Sequence, residues 1–312
     1  MEERIIEFLF NNLSRESKSN YLRELNKFMI WLESRGLSWV TNRERKDKHL
    51  SMYLLQCIDE ERGYSSGSHL VAALKLLDLY FNPTISLKIM KIWKRNSTVK
   101  SAPPLPENLF YSVLGVFLLQ EEWEAALTAA LSWGGMLRVG EALQMKFSNL
   151  LLPSDGFSVA EDGSAILLLE STKTAHLDKA VITCPTLLRI VSILREKLLQ
   201  RRRSRRHSPV WVTTLTYDKY CRKLNKALRF LKLEACGFQT HSFRRGAATN
   251  EWKKCNYDTA SIAVRGRWQS ISSLRLYLKE GDVGLWRFRV QLGQESQSTL
   301  ETLERFARCW GL

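Results

Sequence analysis

The segment from Asn96 to Pro106 most constrains how this chain can fold. It carries Ser97, Thr98 and the run Ala102-Pro103-Pro104-Leu105-Pro106. Proline fixes φ and removes backbone donors, so this stretch cannot continue a helix and reads as a stiff linker. Before it the pattern is helical throughout. Tyr21, Leu25, Phe28, Met29 and Leu32 recur at helical spacing in a helix predicted over 14–31, which opens on Ser14 and stops before Gly36. Met52, Leu54, Leu55 and Ile58 predict a second helix. A turn over 62–67 separates it from a third, predicted over 68–80 and stopped by Asn82-Pro83. A basic segment, Lys88 to Arg95, follows.

Beyond the prolines the period changes twice. Helices are predicted over 107–120, 121–136 and 139–145. Short strands are then predicted over 158–160, 165–170 and 179–182, broken by Asp162-Gly163 and by the polar tip Ser171 to Asp178. After Pro185 the helical period returns. The expected class is mainly α: an all-helical first domain over 1–98, a linker over 99–106, and a mixed α+β second domain over 107–312. That second domain holds a small antiparallel sheet and ends in a helical tail from about 282 onward. At 312 residues with 45% apolar content, the chain can build two packed cores.

The formal charge of +15 predicts a polyanionic partner. The Met1-Glu2-Glu3-Arg4 start does not read as a secretory signal, and the longest apolar run, Val113 to Leu119, is too short to span a bilayer, so no membrane partner is expected. Nucleic acid remains. Basic residues cluster on one helical face at Lys219, Arg222, Lys223, Lys226 and Arg229, with Tyr220, Leu224, Ala227 and Leu228 on the other. Arg222, Lys223, Lys226 and Arg229 are the predicted phosphate-backbone contacts. The run Arg201 to Arg206 reads either as a loop or as a nuclear-import signal. The six cysteines show neither Cys-x-x-Cys pairs nor zinc-ligand spacing, and are expected to be buried, reduced thiols. No metal and no cofactor are expected.

Certain residue types recur at spacings suited to one chemistry. Arg138 follows the apolar stretch Leu131 to Leu137, with Glu141 one turn on as its partner. His241 and Arg244 stand three apart on one helical face, and Arg245 lies beside them off that face. Gly266-Arg267-Trp268 follows, and Tyr277 comes nine residues after Trp268. Guanidinium offers paired donors to two phosphate oxygens and keeps its charge, which suits Arg138 and Arg244 to clamping a phosphodiester. His241 can manage a proton, and the Trp268 indole N–H can donate to a phosphate oxygen. A phenol that attacks phosphorus stores the bond as an ester, so resealing needs no ATP. The chain also lacks a Walker-type phosphate loop and a carboxylate cluster fit for two metals.

This order and spacing resembles the tyrosine recombinases, the phage-integrase family of DNA-cutting and -joining enzymes. The resemblance is strong over Glu107 to Lys279 and rests only on size and helical character before that. It implies Arg138, His241, Arg244, Trp268 and Tyr277 as catalytic residues with Glu141 in support. It also implies a general-acid lysine on a hairpin, matched by Lys173 in Glu170-Ser171-Thr172-Lys173-Thr174, with Lys179 as competitor. One departure stands out: the family glycine usually precedes its His/Trp directly, whereas Arg267 intervenes here, so either Arg267 or Trp268 can fill that position. The family fold is a C-shaped clamp on duplex DNA, made of a core-binding first domain and a catalytic second one. The family acts on specific double-stranded sites as homo-tetramers, often for mobile elements. The tail, with a helix predicted over 296–310, could then pack into a neighbouring protomer. Such an enzyme would act in the cytoplasm or nucleoid of a prokaryotic host, or in a eukaryotic nucleus. A type IB topoisomerase-like enzyme and a catalytically silent DNA-binding protein are the competing readings.

Overall fold

A computed structural model of the chain describes residues 2–39, 42–97, 102–156, 163–170, 178–203, 210–275 and 277–278. It divides into two compact units, Met1–Lys100 and Ser101–Leu312.

The first unit is built from α1 (Glu2–Asn11), α2 (Arg15–Ser34), α3 (Arg43–Asp59), α4 (Tyr64–Leu77) and α5 (Thr84–Asn96). Ser14 caps α2 by accepting the Ser17 amide at 3.1 Å, and Asn42 caps α3 by accepting that of Arg45 at 2.9 Å. Phe28, Trp31 and Leu32 of α2 meet Leu50, Tyr53 and Leu54 of α3, with Leu70, Met90 and Trp93 closing the core. The turn predicted over 62–67 is too long, because α4 already starts at Tyr64. Gly67, read there as a breaker, is a helix residue buried beneath Trp93. Buried Asp47 acts as an N-cap for α5 from a different helix, accepting the amides of Ile85 at 2.8 Å and Ser86 at 3.0 Å.

The second unit contains α6 (Glu107–Leu119), α7 (Trp123–Gly134) and α8 (Val139–Leu143). A sheet follows, β1 (Leu150–Leu151), β2 (Ala165–Leu169) and β3 (Asp178–Ile182). After it come α9 (Pro185–Arg203), α10 (Tyr217–Phe230), α11 (Thr240–Lys254), α12 (Thr259–Arg265) and α13 (Ile271–Arg275). Every residue of α7 except Glu124 is buried, which makes it the axis of this unit; α6, α9 and α11 pack around it. The sheet is antiparallel in the order β1-β2-β3, with Leu150 opposite Leu167 and Leu169 opposite Asp178. Ala165, Leu167 and Leu169 point into the core from alternate positions of β2. The strand predicted over 158–160 lies outside the described residues, and the sheet's first strand is instead Leu150–Leu151.

The proline segment differs from the expected linker. Residues 102–106 lie along the start of α11 as part of the second unit. The Leu105 amide donates to the Ser242 carbonyl at 3.0 Å, and Arg245 donates to the Ala102 carbonyl at 2.7 Å. The strap approaches so closely that a Cβ on Gly246 would sit 2.0 Å from the Leu105 oxygen. Leu105 supplies the reason, since its apolar side chain is buried in the core.

Candidate active site

The end of α7 sets the first arginine. Residues 131–137 are buried, as the apolar run predicts. The chain leaves α7 through Met136, whose φ of 47° turns it sharply, and Arg138 becomes the N-cap of α8. Glu141 closes that cap by accepting the Arg138 amide on Oε2 at 2.8 Å and the guanidinium Nη1 on Oε1 at 2.7 Å. The expected arginine–acid pair is therefore formed, within one short helix.

Helix α11 supplies His241, Arg244 and Arg245. Arg244 is the largest fully buried side chain, 1% exposed. Its Nη1 donates to the Met136 carbonyl and its Nη2 to the Gly266 carbonyl at 2.6 Å, which ties α11 to the turns before Arg138 and before Trp268. Its Nε finds no acceptor among the described residues. Burial, followed by the positive charges of Arg138 and Arg267, pushes its pKa down to about 10, so it remains a cation at neutral pH.

Trp268 covers this cation, with the guanidinium carbon 4.3 Å from its ring centre. The indole folds back over Gly266, where a Cβ would lie 1.6 Å from ring carbon Cζ3; no side chain but hydrogen fits there. Tyr277 completes the group. Its ring meets Trp268 edge-on at 5.1 Å and His241 at 6.4 Å, and the Arg245 guanidinium lies 5.0 Å from its centre. Leu274, fully buried, anchors α13, and Thr249 of α11 donates to the Tyr277 carbonyl at 3.2 Å. His241 has a solvent-open edge. Crowding of the rest of its ring, and then Arg244, Arg245 and Arg138, lower its pKa and favour neutral imidazole.

No family model matches this sequence, and no curated protein matches it either. Solved structures do. The chain is similar to the XerH site-specific recombinase bound to palindromic difH substrate in a post-cleavage complex, with a TM-score of 0.63 at 14% identity over 93% of this chain and 84% of that one. It is also similar to the lambda integrase bound to DNA, with a TM-score of 0.56 at 16% identity over 94% and 98% of the two chains. A third is the Tn1549 transposon integrase in complex with a circular intermediate DNA, with a TM-score of 0.55 at 13% identity over 92% and 98%. The chain has the tyrosine recombinase fold. At these identities the likeness lies in the path of the backbone, and the roles of individual residues rest on the geometry above.

Within this recombinase fold, Lys173 lies outside the described residues, as do the tail from 279 onward and part of the Arg201 to Arg206 run. The strands flanking the Lys173 loop are paired up to Leu169 and Asp178. Its competitor Lys179 is exposed on β3 opposite Leu168. Glu170, at the end of β2, is held by Lys146 at 2.5 Å and Asn149 at 3.0 Å.

The basic face of α10 is partly as predicted. Arg222, Lys226 and Arg229 are exposed while Tyr220, Leu224, Ala227 and Leu228 are buried. Lys223, also predicted as a phosphate contact, is instead paired with Glu122 at 2.5 Å. The cysteines also depart from prediction. All five described are free, but only Cys57 is buried and Cys255 is exposed. Among the described residues, no His, Cys, Asp and Glu cluster could hold a metal ion, and no helix is long and apolar enough to cross a membrane.

Two residues carry more than sequence spacing indicates. Arg245, expected to lie off the His241–Arg244 face, follows His241 by four residues, lies on the same side of α11 and reaches the Tyr277 ring. Arg267 donates to Glu141 Oε2 at 2.8 Å and to Asp178 Oδ2 at 3.4 Å. Burial raises the Glu141 pKa, but the bonds and charges of Arg267 and then Arg138 outweigh it and hold the carboxyl below its usual range. The site gathers four guanidiniums and two carboxylates: Arg138 and Arg267 pair with Glu141 and Asp178, while Arg244 and Arg245 bond to backbone carbonyls and lie by Trp268 and Tyr277.

Proposed function

We propose that this chain is a site-specific DNA recombinase of the tyrosine type, which cuts and rejoins strands through a 3′-phosphotyrosine intermediate. One observation carries the reading. Arg138, His241, Arg244, Trp268 and Tyr277, drawn from three separate stretches of sequence, converge on one cluster whose arginines outnumber its acids. A cluster with surplus buried positive charge is stabilised by an anion, and a phosphodiester fits paired guanidinium donors.

The chemistry follows from these groups. The Tyr277 phenolic oxygen attacks phosphorus, and His241, held towards its neutral form, takes the phenol proton. Arg138, Arg244 and the Trp268 indole N–H stabilise the charge that builds on the non-bridging oxygens. The bond from phosphorus to the 5′-oxygen breaks, and that oxygen receives a proton from Lys173, the acid that the family resemblance implies. In the reverse step a 5′-hydroxyl gives its proton to Lys173 and attacks the phosphotyrosine ester, restoring the phosphodiester, while His241 returns its proton to the departing Tyr277 oxygen. The ester conserves the bond energy, so neither ATP nor a metal enters the balance.

The recombinase and integrase structures that share this fold are bound to DNA, which supports duplex DNA as the partner here, with Arg222, Lys226 and Arg229 along its backbone. A specific target site, a homo-tetrameric assembly, a core-binding first domain and a mobile-element origin complete the proposal. The test is strand exchange. Two labelled duplexes carrying a site selected from a random library should yield recombinant strands with the wild-type chain and none with Tyr277→Phe. Relaxation of a supercoiled plasmid by the monomer, without exchange, would replace the proposal with type IB topoisomerase action.

A further inference from the structure

Arg267 occupies a backbone position at which helices normally place glycine. α12 ends at Arg265 with Gly266 as C-cap, and the next two amides turn back onto the helix. Arg267 N–H donates to Val264 at 3.1 Å and Trp268 N–H to Ala263 at 2.8 Å. This pair of bonds defines a Schellman turn, whose first residue past the cap is left-handed and usually glycine. Here that residue is Arg267, with φ of 60°. Glu61, Glu121 and Lys232 hold the same left-handed position at other helix ends of this chain, so what singles out Arg267 is the reach of its side chain.

It reaches two elements outside its own turn. Its side chain is 7% exposed and is bonded to Glu141 on α8 and to Asp178, the first residue of β3. Glu141 is thereby shared, with Oε1 taken by Arg138 and Oε2 by Arg267. Two guanidiniums on the two oxygens of one carboxylate fix its plane, and fixing that plane fixes the Arg138 side chain. Arg267 is thus engaged by two carboxylates and nearly closed to solvent, whereas the Arg138 side chain is 30% exposed. It is Arg138 that is open to a ligand.

We infer that Arg267 is a positioning residue that locks the Arg138–Glu141 pair and the base of the β2–β3 hairpin to the turn carrying Trp268. Its consequence for catalysis rests on the recombinase reading; the lock itself does not. The same side chain sets the distance between Arg138, at the start of α8, and the Trp268–Tyr277 pair.

Hydrogen exchange of the full chain tests the lock without DNA. Arg267→Gly and Arg267→Met should raise amide exchange over both 138–143 and 178–182 while α10 exchanges as in wild type, and Arg267→Lys should restore part of the protection. Unchanged exchange in both segments would overturn the inference, and a higher melting temperature of Arg267→Gly would then mark the arginine as a passive helix end. If Arg267→Gly does not fold, Asp178→Asn weakens the same lock from the other side and should loosen 178–182. Covalent capture of a selected duplex supplies the second readout. Adduct formation by Arg267→Gly should slow by about 10- to 100-fold, the cost of a misplaced group, with unchanged DNA affinity and partial rescue by lysine. Unchanged capture by Arg267→Gly alongside an active wild type would count against the lock. A wild type that forms no adduct, with exchange altered as described, would count against the recombinase reading alone.

Discussion

The guanidinium carbon of Arg244 lies over the indole of Trp268, 4.3 Å from the ring centre, and the same indole meets Tyr277 at 5.1 Å. The contact joins the most buried cation of the site to its proposed nucleophile. Trp268→Phe keeps a ring there and removes the N–H. It should alter stability by no more than about 1 kcal/mol, the scale of the cation–π difference, while slowing covalent capture of DNA. Thermal melts beside capture rates separate the two effects. A stable Trp268→Phe with wild-type capture would remove the indole N–H from the mechanism.

Arg244 is structural as well as chemical. Its loss leaves the Met136 and Gly266 carbonyls without their donor in the interior. Arg244→Ala should therefore lower unfolding free energy by about 2–4 kcal/mol, from unsatisfied acceptors and the vacated volume. Urea unfolding measures this. A neutral effect would contradict the buried geometry.

The lowered pKa values of Glu141 and His241 act in the same direction on stability. Glu141 is depressed below the carboxylate value, so its contribution is present above that range and lost as pH falls through its folded pKa. His241 is depressed below 6.5, so it too favours the folded state above that pH and opposes it as acid forces a charge on the ring. Stability should fall from neutral pH towards acid. His241→Gln should flatten the part of the fall just below pH 6.5, and Glu141→Gln the part at more acidic pH. Unfolding midpoints followed against pH check both, and parallel curves for all three proteins would contradict the assignments.

On α10, exposure separates the lysines and arginines. Alanine at Arg222, Lys226 or Arg229 should weaken binding to any duplex and reduce the magnitude of the salt slope by about 0.9 for each phosphate that is no longer neutralised. Lys223→Ala should do less, because its charge is already met by Glu122. Fluorescence anisotropy titrations across salt concentrations measure this. Slopes equal to that of the wild type in all four variants would remove α10 from the interface.

Much of this architecture is legible in the sequence because burial imposes periods on it. α2, α6 and β2 emerge close to their observed bounds, since Phe28 and Leu32, or Leu167 and Leu169, must face one core. β1 is two residues long and has no period to read. Asp47 capping α5 and Glu122 pairing with Lys223 join positions far apart in sequence, and no local pattern encodes such pairs. A spacing of three pairs Arg138 with Glu141 and His241 with Arg244, whereas Trp268 and Tyr277 stand out in the sequence only through the resemblance to the recombinase family. Arg267 is visible in the sequence only as a misplaced neighbour of Gly266. Its reach to Glu141 and Asp178 depends on a backbone turn that side-chain periodicity does not reveal. Arg245 escapes for a related reason, since the Ala102 carbonyl that helps aim it lies in a segment whose prolines suggest a free linker.

The proposed chemistry stands most directly on the Tyr277 phenol. The measurement is covalent capture: wild type and Tyr277→Phe are incubated with a nicked, randomised duplex library and denatured, and the DNA still attached is sequenced. The variant keeps the ring that packs against Trp268 and His241, so it should fold and bind DNA as the wild type does. Wild type should carry an adduct of defined sequence, mapped to Tyr277 and missing from the variant. An adduct that persists in Tyr277→Phe, or none on a wild type that binds duplex tightly, would contradict the mechanism.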